Sequence, residues 1–294
     1  MMIRPLFSLL IGALMLPVGM QPALANSFLQ TPSSSEMLSS RANPSLNSAS
    51  FVVANHRTGE ILSERNANQV LPIASITKLM TAMVVLDSGL RLNETLTVGD
   101  ADVDRLKGTG SRLAVGSRLS RADMLHIALM SSENRAASAL GRHYPGGKPA
   151  FVEAMNAKAR MLGMWDTHFY DSTGLTPRNV STAHDLAKMV AAAANYPLIR
   201  QYSTDTERQV FTGRTTLHYR NSNRLVREGE WEFNLSKTGY IREAGRCLVM
   251  ETKVSSQPVI MVLLGADTTD ARVADAKRIR SWLESSGRIN LARN

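Results

Sequence analysis

Residues 72–86 read PIASITKLMTAMVVL and place two polar side chains at the start of an apolar helix. Ser75 and Lys78 are three positions apart, so they lie on the same helix face, one turn from each other. Gly89 follows the apolar run and suits a helix C-terminus. Because a helix N-terminus has free N–H groups and a positive dipole, we predict a helix that begins at Ser75 and favours negative charge there.

Ser75 and Lys78 have the chemistry of a nucleophile and its base. A serine hydroxyl reacts when a neighbouring group accepts its proton. A lysine amine can accept it if burial or a nearby cation lowers the lysine pKa, which is about 10.4 in water. By itself the pattern is equally compatible with a helix-capping serine beside a surface lysine.

Two polar triplets interrupt apolar stretches later in the chain. Ser132-Glu133-Asn134 follows the apolar helical stretch 124–130, and Lys237-Thr238-Gly239 closes a strand predicted to begin at Trp231. The glycine of the second triplet allows another backbone to lie close to the strand. Alone, each triplet is compatible with an exposed helix end or strand end. Together with Ser-x-x-Lys, in this order, they form the set found in penicillin-binding proteins and serine β-lactamases.

The remaining sequence predicts an α+β fold. A β-hairpin is predicted in 51–63, and helical patterns occupy 120–130, 150–162, 182–194 and 269–284. Short β-like runs follow at 209–211, 216–219, 231–237, 246–254 and 258–265. Their short connections imply antiparallel neighbours. We expect an antiparallel five-stranded sheet flanked by helices, built from both ends of the chain, with a helical lobe inserted between them.

The N-terminal residues have the pattern of an export signal. Arg4 precedes an apolar run over 6–20, and Ala23-Leu24-Ala25 provides a small-residue cleavage site. We predict a signal peptide over 1–25, cleavage after Ala25 and a periplasmic location. Residues 26–49 contain eight serines and no apolar periodicity, which predicts a flexible tether. The folded domain is then expected to cover 50–294.

The net charge of +9 favours anionic surroundings. Export and the dispersed lysines and arginines favour a wall polymer or a membrane surface over nucleic acid. Cys247 is the single cysteine, so no intramolecular disulfide is possible. Its apolar neighbours predict a small core side chain rather than a nucleophile.

The sequence lacks the motifs of two other classes of hydrolase. The sequence has no His-Glu-x-x-His for a metallopeptidase and no Gly-x-Ser-x-Gly for an α/β-hydrolase. We therefore predict no metal and no cofactor. A serine β-lactamase and a non-catalytic wall-binding protein stay open as alternatives. Glu230 and Asn234 imitate a β-lactamase loop motif, but they fall on the strand that leads into Lys237.

The three motifs and their flanks resemble the low-molecular-mass penicillin-binding proteins of the D-alanyl-D-alanine carboxypeptidase family. The similarity covers about residues 51–283. Its stretches are 72–81, 129–137, 171–175, 179–183 and 237–240. Residues 131–137 and 143–147 are most similar to the D-alanyl-D-alanine endopeptidase subgroup.

The resemblance implies a penicillin-sensitive serine DD-peptidase with a β-lactamase/transpeptidase-like fold. Its substrates would be the peptide stems of peptidoglycan, with endopeptidase cleavage of cross-links expected and D-alanyl-D-alanine carboxypeptidase activity as the alternative. β-Lactam antibiotics would act as covalent inhibitors. Ser75 would attack the D-Ala carbonyl, Lys78 would accept its proton, and Ser132 would relay a proton to the leaving amine.

The resemblance also implies the substrate-binding residues. Asn134 would hold the base and the substrate amide, Lys237 and Thr238 would face the substrate, and Gly239 would keep the strand edge open. The backbone N–H groups of the nucleophile and Tyr240 would form the oxyanion hole.

Carboxypeptidases of this family usually carry a further β-domain and an amphipathic C-terminal anchor. Here the last helical pattern, 269–284, has apolar residues that suit packing on the sheet: Val273, Ile279, Trp282 and Leu283. We therefore expect at most loose membrane association.

Overall fold

The computed structural model describes residues 44–286 of the chain. The predicted signal peptide, 1–25, lies outside the described residues, as does the predicted tether up to residue 43. The end of that tether, however, belongs to the packed domain. Leu46 and Ser48 are buried, because Leu46 packs with the apolar face of the C-terminal helix and Ser48 hydrogen-bonds to it.

Five antiparallel strands form the central sheet. In spatial order they are β2 (Ile61–Arg65), β1 (Ser50–Asn55), β11 (Gln257–Ala266), β10 (Gly245–Val254) and β9 (Phe233–Ile241). The predicted five-stranded antiparallel sheet is confirmed, and it is built from both ends of the described chain. β9, which carries Lys237-Thr238-Gly239, is an edge strand.

Both faces of this sheet are buried, and β11 shows the period-two pattern that this requires. Ile260, Val262 and Leu264 face the helical lobe, whereas Val259 and Met261 face the C-terminal helix. Apolar side chains on both faces explain why the strand appears in the sequence as one continuous apolar run.

A helical lobe lies between β2 and β9 in the sequence, as predicted. Its α-helices are α1 (Thr77–Asp87), α2 (Arg121–Met130), α3 (Asn134–Arg142), α4 (Gly147–Met161), α5 (Ala183–Ala193), α6 (Pro197–Thr204) and α7 (Arg224–Glu228). Short two-stranded pairs join β3 (Leu71–Pro72) to β6 (Val180–Ser181), β4 (Thr95–Thr97) to β5 (Arg118–Ser120), and β7 (Glu207–Phe211) to β8 (Thr216–Arg220). Single 3-10 turns cover Ala74–Ile76 and Asp100–Asp102. Helix α8 (Thr269–Ser286) follows the last strand.

Capping residues in the sequence predicted several helix ends correctly. The Ser120 hydroxyl accepts a hydrogen bond from the Asp123 N–H and caps α2, and the Thr182 hydroxyl caps α5 in the same way. Gly89, just beyond α1, adopts φ +65°, a left-handed conformation that glycine tolerates.

One prediction about an element was wrong. Ser75 lies in the 3-10 turn that precedes α1, and the α-helix begins only at Thr77. Ala74, in the same turn, has φ +46°.

The runs at 209–211 and 216–219 are antiparallel neighbours, as predicted, and they form a separate hairpin outside the central sheet. The hairpin strands bury Val210 and Tyr219 against the lobe, and Leu217 is partly buried there.

Helix α8 packs its apolar face on the sheet, as predicted. Val273, Ile279 and Leu283 are buried there, and Trp282 packs against the same cluster. In residues 44–286 no helix is long and apolar enough to cross a membrane.

Asp275 fixes the start of the described chain to α8. Its fully buried carboxylate accepts hydrogen bonds from the backbone and side chains of Asn47 and Ser48, at 2.7–3.0 Å. Arg278 also contacts Asp275, but 52% of its side chain is exposed. The buried hydrogen bonds, rather than the surface ion pair, should therefore carry the stabilising effect.

We predict that Asp275→Ala lowers the free energy of unfolding by about 2–3 kcal/mol, since it leaves buried N–H and O–H groups unsatisfied. Arg278→Ala is the matched control and should cost less than about 1 kcal/mol. Urea denaturation measures both. Similar small shifts for the two variants would contradict the assigned role of Asp275.

Candidate active site

Ser75 lies at the junction of the helical lobe and the edge strand β9. The turn that carries it is partly accessible at Ser75, whereas Ala74 and Ile76 on either side are fully buried. The Ser75 Oγ accepts a hydrogen bond of 2.8 Å from the Lys78 Nζ. The sequence predicted this contact from the three-residue spacing.

The Lys78 amine is buried among three oxygen acceptors. Besides Ser75, it donates to the Asn134 Oδ1 at 2.8 Å and to the Thr173 carbonyl oxygen at 2.7 Å. Only 1% of the residue is exposed. Three donors thus meet three acceptors, so the charged form is fully hydrogen-bonded although water is excluded.

The Thr173 carbonyl is held in place by a tight loop built on Asp171. The Asp171 carboxylate accepts hydrogen bonds from the backbone N–H groups of Thr173, Gly174 and Thr176, at 2.6–3.2 Å. Asn179 donates to the same carboxylate and also to the Thr77 hydroxyl at the start of α1. This loop is therefore tied to the helix that follows the nucleophile.

Two glycines allow backbone segments to approach the Ser75 turn. A Cβ on Gly174 would lie 1.9 Å from the Ala74 carbonyl oxygen, and a Cβ on Gly239 would lie 3.2 Å from the Ser75 nitrogen. Two non-glycine residues of the site, Ala74 and Ser132, have positive φ angles of 46° and 64°. Such conformations are uncommon and are retained where the surroundings impose them.

A second buried lysine lies on β9. The Lys237 Nζ donates to the Ser132 Oγ at 3.0 Å and to the Thr238 carbonyl oxygen at 2.8 Å. Beside it, the hydroxyl groups of Thr238 and Ser222 lie 2.7 Å apart. Ser132 and Thr238 thus flank the amine from the lobe and from the strand.

Burial lowers the pKa of both lysines. Burial lowers the pKa of Lys78 from 10.5 to about 7, while the charges of Asp171 and Glu133 limit this decrease. Burial also lowers the pKa of Lys237 well below its usual value, and the positive charges of Lys78 and Arg272 lower it further. At neutral pH a substantial fraction of Lys78 is therefore a neutral amine that can accept a proton.

Tyr240 follows Gly239 on β9 and is half exposed. The Arg246 guanidinium lies 3.6 Å from the centre of its ring, which stabilises one ring orientation. Since Gly239 packs on the Ser75 turn, the strand segment before Tyr240 runs beside the Ser75 backbone. This places the two predicted oxyanion-hole residues on adjacent segments.

The structure brings every predicted site residue into this one region. Sequence reasoning assigned no role to several residues that contact the site: Asp171, Thr173, Gly174, Asn179, Ser222 and Thr109, whose hydroxyl accepts a hydrogen bond of 3.1 Å from the Asn134 Nδ2. The stretch 171–175 carried a signal, because it was among those that resemble the family, but its residues had no assigned role. Cys247 is fully buried and its pKa is raised to about 11 by burial, as expected for a core side chain.

The two residues that imitate a β-lactamase motif, Glu230 and Asn234, are not part of this site. The Asn234 side chain donates to Glu251 on β10 at 3.1 Å, and Glu230 is exposed before β9 begins. Among the hydrogen bonds and ion pairs of residues 44–286, none joins either residue to Ser75, Lys78 or Ser132.

Comparison with known proteins points to one family. Residues 37–268 match the family described as D-alanyl-D-alanine carboxypeptidase. A D-alanyl-D-alanine endopeptidase of Pseudomonas aeruginosa is 50% identical over 242 residues, which cover 82% of this chain and 78% of the relative. A D-alanyl-D-alanine endopeptidase of Escherichia coli K12 is 46% identical over 283 residues, 95% of this chain and 88% of that relative.

A solved structure has the same fold. Penicillin-binding protein D2 from Listeria monocytogenes, in its ampicillin-bound form, superimposes with a TM-score of 0.72 at 28% identity. The match covers 82% of this chain and 98% of that protein. The predicted β-lactamase/transpeptidase-like α+β fold is thereby confirmed.

We predict that Lys78 titrates near pH 7, charged below that value and neutral above it, because burial lowers its pKa from 10.5. NMR of lysine-labelled protein measures this titration, with Lys78→Arg used to assign the resonance. A Lys78 signal that stays in its charged form up to pH 9 would contradict the pKa assigned to the buried amine.

Proposed function

This chain belongs to the D-alanyl-D-alanine carboxypeptidase family of serine peptidases, and from that premise we propose that it cleaves D-alanyl bonds in peptidoglycan cross-links through an acyl-enzyme on Ser75. The observation that carries the proposal is the hydrogen bond between Ser75 and a buried Lys78 amine. The similarity to two D-alanyl-D-alanine endopeptidases supports the choice of substrate.

The first step forms the acyl-enzyme. The Ser75 Oγ attacks the carbonyl carbon of D-Ala while its proton passes to the neutral Lys78 Nζ at 2.8 Å. The carbonyl oxygen gains negative charge, which the backbone N–H groups of Ser75 and Tyr240 stabilise. The tetrahedral intermediate then collapses: the C–N bond breaks and the acyl group stays on Ser75.

The leaving amine needs a proton in that step. Ser132 is suited to relay to it the proton that Lys78 took from Ser75, so that Lys78 becomes neutral again and the Ser132 hydroxyl is restored. A hydrogen bond from the Lys237 Nζ holds this hydroxyl in place. Lys237 and Thr238 also offer donors to a carboxylate next to the scissile bond. In the second step water attacks the ester carbonyl carbon while the neutral Lys78 accepts one of its protons. Lys78 then returns that proton to the Ser75 Oγ at 2.8 Å as the C–O bond breaks and the peptide acid leaves.

Ser75→Ala should abolish covalent labelling by a labelled penicillin, because within residues 44–286 Ser75 is the only hydroxyl group that hydrogen-bonds to the Lys78 amine. Intact-mass spectrometry measures the adduct. Ser88→Ala is the matched control: it removes a serine hydroxyl after the other end of α1 and should label normally. An adduct on Ser75→Ala would assign the nucleophile to another residue.

Lys78→Arg distinguishes a base from a mere positive charge. A guanidinium stays protonated at every accessible pH and cannot accept the Ser75 proton. We expect acylation to be lost as completely as in Ser75→Ala. Near-normal acylation of Lys78→Arg would leave Lys78 with only an electrostatic role.

Endopeptidase and carboxypeptidase activities share the attack on the D-Ala carbonyl and differ in the leaving amine. We expect purified enzyme to convert cross-linked muropeptide dimers into monomers faster than it releases D-Ala from a monomeric pentapeptide. Chromatography of both digests at equal substrate concentration measures the ratio. Release of D-Ala with dimers intact would make the chain a carboxypeptidase, and rapid turnover of a cephalosporin would favour a β-lactamase.

Export to the periplasm is part of the proposal, since peptidoglycan lies outside the cytoplasmic membrane. Its support is the N-terminal pattern of Arg4, the apolar run 6–20 and the small residues before Asn26. The positive net charge of +9 favours residence near the anionic wall and membrane surface.

A further inference from the structure

A loop of the helical lobe, residues 104–109, contacts the Asn134 side chain. Asn134 uses the two ends of its amide differently: the Oδ1 accepts from Lys78 at 2.8 Å, and the Nδ2 donates to the Thr109 Oγ1 at 3.1 Å. An asparagine amide is nearly symmetric in shape, so a half-turn would exchange these two ends. The Thr109 hydroxyl can prevent that half-turn only if it acts as an acceptor towards Asn134.

Asp104 makes Thr109 an acceptor. The Asp104 Oδ2 receives the Thr109 hydroxyl hydrogen at 2.7 Å and the Thr109 N–H at 2.8 Å, and the Oδ1 receives the N–H groups of Leu106 and Lys107 at 2.8 and 3.0 Å. Burial opposes ionisation here, but these hydrogen bonds hold the pKa of Asp104 below its usual 3.8. An ionised carboxylate accepts only, so the hydroxyl hydrogen points to Asp104 and an oxygen lone pair is left for Asn134.

We propose that Asp104 and Thr109 are positioning residues, which fix the amide of Asn134 so that its oxygen, and not its NH2 group, faces Lys78. The hydrogen bonds of this series all run in one direction: Lys78 donates to Asn134, Asn134 to Thr109, and Thr109 to Asp104. A flipped amide would place N–H groups against the Lys78 amine and remove one of its three acceptors. The proposal rests on the function assigned above to Lys78 and Asn134.

A flipped Asn134 amide would change the pKa of Lys78 in a definite direction. The titratable groups around it are Glu133 before α3 and Asp171 in the loop after α4, which favour the ammonium form, and Lys237 on β9, whose own pKa is lowered by the charge of Lys78. Loss of the Asn134 oxygen removes a partner of the ammonium form while these charges stay. The amine would then lose its proton at a lower pH, and its position relative to Ser75 would be less well defined.

Thr109→Val tests the proposal with Thr109→Ser as its matched control. Valine keeps the branched shape and the backbone N–H bond to Asp104 but has no hydroxyl, whereas serine keeps the hydroxyl. Replacing Asp104 is a poorer test, because that change would also release the N–H groups of Leu106 and Lys107.

The measurement is the second-order rate constant for acylation of Ser75 by a labelled penicillin, followed against pH. For Thr109→Val we expect the plateau of the rate constant at high pH to fall by at least about tenfold, as for loss of a hydrogen bond to a charged group. We also expect the acidic limb of the pH profile, where the rate constant falls as Lys78 gains a proton, to move to lower pH. Thr109→Ser should retain a rate within about threefold of the original protein and an unmoved limb. Thermal unfolding of both variants confirms that each is folded.

Three results would overturn the proposal: a normal rate for Thr109→Val, equal impairment of the two variants, or a lower plateau whose acidic limb does not move. The last result would indicate a structural role for the loop alone. Acylation of the unsubstituted protein at Ser75 tests the proposed function separately, so failure of that function is distinguishable from failure of the positioning role.

Discussion

The buried amine of Lys78 constrains the arrangement of the whole site. An ammonium group out of contact with water is stable only when each of its hydrogens has an acceptor, and here the acceptors come from three different segments: Ser75, Asn134 and Thr173. The junction before α1, the start of α3 and the loop after α4 must therefore meet at one point. The short strands and caps of the lobe serve to hold these three segments in register.

Close backbone contacts then lock the sheet to the lobe. Gly239 and Gly174 both lie against the turn that holds Ser75, and any side chain at Gly174 would collide with the Ala74 carbonyl. Ala74 and Ser132 adopt left-handed conformations at this junction, which residues other than glycine keep only where the surroundings impose them. Burial at this junction lowers the pKa of Lys78 to about 7, and burial together with the charge of Lys78 lowers the pKa of Lys237.

Much of the fold was predictable because its signals are local. The spacing of Ser75 and Lys78 fixes their contact within one helical turn. Side-chain caps such as Ser120 mark helix starts through bonds that span only three residues. The long apolar runs of β10 and β11 predict central strands because both faces of the sheet are covered. Even the assignment of Cys247 to the core follows from its neighbours.

The tertiary structure alone decided how distant segments complete the site. Asn134 is 56 positions from Lys78, and Thr173 is 95 positions away and contributes a carbonyl oxygen that every residue type possesses. The sequence determined which side chains were proposed for the chemistry and most of the elements that bear them. It could not determine where a backbone carbonyl points, which hydroxyl orients an amide, or where a helix start is displaced by a strained turn. Those features depend on packing between segments, whereas sequence periodicity reports only on neighbours along the chain.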